Sequence, residues 1–142
     1  MLLDVKHYNS CSQNKIDYTE FNNALNLELA NLAELQKEKI IVNCRDVQLL
    51  YALTDSIVQK SIETDDIEFA ELIFQTTEIE IAFIKLEEFT DEWAAMITKN
   101  QAKFGLYNLN NRSKVNKALN FAPNFVISDQ LDYTLNQVYG KE

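Results

Sequence analysis

Two glycines and a single proline in 142 residues constrain this chain more than any other feature. Average usage near 7% would supply roughly ten glycines in a chain of this length. Glycine provides the positive-φ positions and close backbone approaches that phosphate-cradling loops and tight hairpins require. No Gly-rich phosphate loop or dinucleotide fingerprint can therefore be built here. A protein of many short hairpin-linked strands is disfavoured for the same reason, and helices joined by Asn, Asp, Ser and Thr turns are favoured.

Apolar spacing follows that expectation. A helix is predicted from about Tyr18 to Lys39, capped by Asp17 with Glu20 as its reciprocal partner, and with Phe21, Leu25, Leu29, Leu32 and Leu35 as its apolar stripe. A second is predicted from about Arg45 to Glu63, with Asn43 as cap and Val47, Leu50, Tyr51, Thr54, Ile57, Val58 and Ile62 at three-and-four spacing. These two should pack as an antiparallel hairpin. Further helices are read over Asp66–Thr76, from Thr90 toward Phe104, over Ser113–Asn120, and over Asp129–Tyr139 after a Ser128 cap. Gly105 to Arg112, with its three asparagines, reads as a loop. The stretch 79–86 alternates like a strand and then turns apolar on both faces; the shortage of glycine favours helix there.

The resulting expectation is a mainly α protein, a compact bundle of about five to six helices in a single domain, 1–142, with an irregular N-terminal segment 1–16. The alternative is an α+β domain with a small sheet from 40–43, 79–86 and 124–127. At 46% apolar residues the chain can bury a sizeable core. The start of the chain lacks the basic and apolar regions of an export signal. Its longest apolar runs, Leu49–Leu53 and Trp93–Ile97, fall far short of the roughly 18 to 20 residues of a bilayer span. Cys11 and Cys44 match no metal spacing and are expected to be reduced thiols in a cytoplasmic protein.

The net charge of −9 is unevenly placed. Residues 62–92 hold eleven acids against Lys85 alone, a net of −10, and residues 93–128 hold five bases and no acid, a net of +5. Charge runs often coat a solvated face. They also steer association with an oppositely charged partner, or with the opposite segment of a second copy. The candidate partner-binding residues are Glu63, Asp65, Asp66, Glu68, Glu71, Glu78, Glu80, Glu87, Glu88, Asp91 and Glu92. Trp93 joins them as a possible anchor, set against the alternative that a large aromatic at helical spacing belongs to the core. Direct nucleic-acid binding is disfavoured by the global field, although Lys103, Phe104 and Tyr107 form one local patch of suitable chemistry.

Catalytic patterns are weak. A single histidine, His7, excludes multi-histidine metal sites, and its pairing with Cys11 is read as incidental. The pairs Asp65 with Asp66, Asp66 with Glu68, Glu78 with Glu80, and Glu87 with Glu88 arise by chance in so acidic a segment. The expectation is a non-enzymatic acidic protein, without cofactor or metal, that modulates a basic protein partner. It would act as an inhibitor, an immunity protein or a phage-type anti-defence factor, one version of which mimics nucleic-acid charge. The competing expectation is a self-assembling structural component or secretion-type chaperone.

Overall fold

The computed structural model describes residues 2–5, 17–54 and 57–140. The chain divides into two compact units, residues 1–63 and 64–142. Each is built from parallel strands joined through helices, so the protein is α/β.

The first unit contains β1 (Leu2–Val5), α1 (Tyr18–Ala30), α2 (Glu34–Lys37), β2 (Ile41–Cys44), α3 (Val47–Ala52) and β3 (Gln59–Glu63). Its strands pair in parallel, β1 with β2 and β2 with β3, and Asn43 lies opposite Ser61 in that register. Because side chains alternate along a strand, Asn43, Ser61 and Glu63 share one face and Val42, Cys44 and Ile62 the other. The second set is wholly apolar and fully buried. Leu29, Leu49 and Leu50 add the buried helical residues of this unit.

The second unit contains α4 (Ile67–Thr76), β4 (Ile81–Lys85), α5 (Asp91–Lys99), β5 (Lys103–Leu109), α6 (Arg112–Leu119), β6 (Phe125–Ser128) and α7 (Leu131–Tyr139). Here β4 pairs with β5 and β5 with β6, again in parallel. Ile81 to Ile84 are buried without interruption, as expected of a parallel strand covered on both faces. Phe89 stacks on Phe104 with ring centroids 4.8 Å apart and meets Phe121 edge-on at 4.9 Å. Trp93, Met96 and Ile97 bury one side of α5.

The expected helical bundle is therefore corrected. Segments 40–43, 79–86 and 124–127 coincide closely with β2, β4 and β6, but within a parallel α/β arrangement rather than the small sheet of an α+β domain. β1, β3 and β5 were not anticipated. The helix expected over Tyr18–Lys39 stops at Asn31, whose side chain donates back to the Leu27 carbonyl at 3.2 Å. The one expected over Arg45–Glu63 shrinks to α3, capped by Asp46 rather than Asn43, and its last five residues are strand β3. The helix expected to approach Phe104 ends at Lys99. The supposed loop from Gly105 is the body of β5.

One physical cause underlies these differences. Parallel strands are joined by crossovers rather than hairpins, so a sheet of this kind makes no demand for turn glycines. Three left-handed positions are instead held by Gln101, Asn108 and Ala122. Among the described residues no helix is long and apolar enough to cross a membrane.

Candidate functional site

Parallel α/β sheets place their binding groups at the carboxyl ends of their strands, where the loops leave the sheet. In the first unit that position holds a buried polar cluster. Asn43 and Ser61 are 2% and 0% exposed, and Glu63, the last residue of β3, is 9% exposed. Polar side chains this deep in a sheet are costly unless each is hydrogen-bonded.

They are bonded to one another. The Ser61 hydroxyl donates to Asn43 Oδ1 at 3.0 Å. Asn43 Nδ2 donates to Glu63 Oε2 at 3.4 Å. Arg45, immediately beyond β2, donates from Nε to Glu63 Oε1 at 2.8 Å, and its Nη2 lies 2.6 Å from the same oxygen. Arg45 is 57% exposed in its side chain while Glu63 is 10% exposed. The carboxylate is thus a buried anchor for a side chain that is more than half exposed. A fixed, charged, planar donor is a natural receptor for a phosphate or carboxylate group.

The carboxyl ends of β4 and β5 in the second unit carry another cluster, of a different kind. Asn108 sits at φ 69° in a stretch where β5 slips register between Leu106 and Leu109. Its side-chain amide donates to both oxygens of Glu87 at 3.2 Å, and the same carboxylate pairs with Lys114 at 2.5 Å. The Lys114 ammonium, assisted by backbone and Asn108 donors, holds the Glu87 carboxyl below its ordinary range. Glu87 is 44% exposed, so this is a surface pair closing the strand ends.

The acidic segment does not form one site. Glu63 belongs to the buried cluster, Asp65 pairs with Lys85 at 3.6 Å, and Asp66 caps α4 by accepting from Phe69 N at 3.0 Å. Glu71 pairs with Lys99 at 2.8 Å, and that hydrogen bond holds the Glu71 carboxyl below its ordinary range. The acidic and basic stretches therefore meet within the second unit, through Glu71 with Lys99 and Glu87 with Lys114. Glu78 is exposed. Glu68, Glu80, Glu88, Asp91 and Glu92 are exposed as well and form no ion pair among the described residues. Trp93 is 3% exposed, which places it in the core rather than at a surface where it would anchor a partner.

His7 and Cys11 lie outside the described residues, and Cys44 is buried on the apolar face of β2. Among the described residues no group of three His, Cys, Asp or Glu is placed to hold a metal ion. Sequence reading missed Asn43, Arg45 and Ser61. The local signal was an alternation, Asn43-x-Arg45 and Ser61-x-Glu63, which becomes meaningful only once β2 and β3 are known to pair.

No family model and no curated protein matches the sequence. Solved structures do match. One is a candidate glycerophosphoryl diester phosphodiesterase from Silicibacter pomeroyi DSS-3, with a TM-score of 0.73 at 10% identity, over 86% of this chain and 44% of the other. Another is a candidate glycerophosphoryl diester phosphodiesterase from Agrobacterium tumefaciens str. C58, with a TM-score of 0.69 at 12% identity, over 98% of this chain and 59% of the other. The likeness is one of fold, and the chain spans roughly half the length of the structures it matches. It corrects the expectation of a non-enzymatic protein, because the fold is one carried by structures described as enzymes. The inhibitor and phage-type readings, which rested on the acidic block and the absence of catalytic motifs, gain no support from this fold.

Proposed function

We propose that this chain is a phosphoester-binding α/β domain of phosphodiesterase type, which receives the anionic group of its ligand on Arg45 at the carboxyl ends of β2 and β3. The observation that carries the reading is the pairing of a buried, bonded Glu63 with a solvent-facing Arg45. Two further facts support it: the position at the strand ends, and a fold shared with structures described as acting on glycerophosphoryl diesters. Those matched chains extend well beyond the shared part, so the proposal gives this chain the anion-holding portion of such a site. A cytoplasmic location belongs to the same proposal, supported by the scarcity of cysteine.

A second reading concerns partners: the exposed Glu68, Glu80, Glu88, Asp91 and Glu92 would dock a basic protein surface in addition to the ligand site. One set of titrations separates the two. Glycerol 3-phosphate and a glycerophosphodiester should bind the native chain, and Arg45→Met should weaken both at least tenfold, consistent with the loss of about 1.5–3 kcal/mol from a charge-assisted contact. Unaltered affinity in a folded Arg45→Met variant would remove the anion-site reading. For the docking reading, a lysine-rich peptide should bind in low salt and lose affinity when Glu68, Glu88, Asp91 and Glu92 become Gln or Asn. Equal affinity of those variants would end it.

A further inference from the structure

We infer that Ser61 and Asn43 are positioning residues that pre-set the Arg45 guanidinium through Glu63, so that the anion meets a donor already fixed in place. The inference rests on the anion-site reading above and deepens it. Neither residue can meet a ligand from solution, since Ser61 is fully buried and Asn43 is 2% exposed. Their effect must pass through bonds.

The chain of bonds has one consistent direction. A serine hydroxyl has one proton to give, and Ser61 Oγ lies 3.0 Å from Asn43 Oδ1 and 3.4 Å from the Val42 carbonyl. Donation to the nearer acceptor marks Oδ1 as the side of the amide that faces Ser61. The NH2 then faces Glu63 Oε2. The reverse orientation would set the amide oxygen against a carboxylate oxygen with no proton between them, whereas the Ser61 hydroxyl can donate or accept, so the Glu63 end fixes the amide. Oε2 is therefore engaged by Asn43 and Oε1 by two nitrogens of Arg45. With Oε2 held by Asn43, the position of Oε1, the acceptor shared by two Arg45 nitrogens, is set.

This matters because Arg45 is a long side chain at a largely exposed position. An arginine free to sample its rotamers must be ordered when it binds, and ordering a side chain costs affinity. A second set of bonds behind the contacting group removes part of that cost in advance. Here the second set comes from one face of two paired strands. Asn43 and Arg45 stand two apart at the end of β2, and Ser61 and Glu63 stand two apart on β3.

The test reads the guanidinium directly. The Arg45 Nε–H resonance of the native chain should be protected from solvent exchange. In Ser61→Ala and in Asn43→Leu that protection should fall, and the affinity for inorganic phosphate should drop about two- to tenfold, the range set by the cost of ordering one long side chain. Should Ser61→Ala fail to fold, Ser61→Cys keeps the bulk, supplies only a weak donor, and carries the same expectation. A folded Ser61 variant with unchanged Nε–H protection would overturn the positioning role. If Nε–H protection falls in that variant but Arg45→Met leaves phosphate affinity unchanged, the anion site itself is overturned while the bond chain stands.

Discussion

Gly105 lies opposite Phe83 across β4 and β5, and the Phe83 ring occupies the space that a side chain at 105 would take. A Cβ there would lie well inside contact with Phe83 Cε1 and Cδ1, and Phe83 is itself 2% exposed and meets Phe125 at 5.9 Å. The ring cannot swing away freely. Gly105→Ala should destabilise the protein by about 1–3 kcal/mol through overpacking, measured by urea denaturation. Pairing it with Phe83→Leu should recover part of that loss, because the two sites are in contact. An undiminished unfolding midpoint in Gly105→Ala would mean that Phe83 does not lie over residue 105. The residue was read from sequence as the start of a loop. Its real role depends on a neighbour 22 positions away on another strand, and no local pattern reports that.

Elements were legible where their signals are local. Asp17 and Thr90 each cap the helix that follows by accepting backbone N–H bonds, as their residue types and spacing suggested, and Asp66, read as the first residue of its helix, is the cap of α4. Strands were harder to read for a physical reason: a parallel strand covered on both faces is a short apolar run that periodicity cannot distinguish from a buried helix turn. Ile81–Ile84 is the plainest case. The elements also explain where the opposite charges meet, since α4 and α5 bring Glu71 to Lys99 while the turn after β4 and helix α6 bring Glu87 to Lys114. Both carboxyl pKa values are lowered from an ordinary 4.5 in the folded state. A lowered folded value stabilises above the unfolded value and is lost as pH falls through the folded one. Acid titration should therefore remove the contribution of these pairs progressively from about pH 4.5 downward. The double variant Lys99→Met with Lys114→Met should show a shallower fall in stability over that window, and added salt should reduce the difference. An identical pH profile for native and variant proteins would deny the pairs any role in stability.

At the scale of the whole molecule, the two units follow one plan, three parallel strands each with helical connections, and they differ in what lies at the strand ends. The first unit buries a bonded polar cluster there; the second closes its ends with an exposed ion pair. That contrast directs the functional reading to β2 and β3. The net charge of −9 belongs to the whole chain; at these strand ends Arg45 is paired with Glu63, so the attraction proposed for an anion rests on directed N–H donors rather than on net positive charge. Overall acidity was readable from composition, but the site was not: it is made by Asn43, Arg45, Ser61 and Glu63 only when two strands pair in one register. The most direct measurement is a titration of the isotope-labelled native chain with glycerol 3-phosphate, followed by amide shifts residue by residue. Saturable shifts should concentrate at residues 43–46 and 61–63. Shifts confined instead to the basic stretch around Lys99, Lys103, Lys114 and Lys117, with residues 43–46 and 61–63 unmoved, would contradict the account.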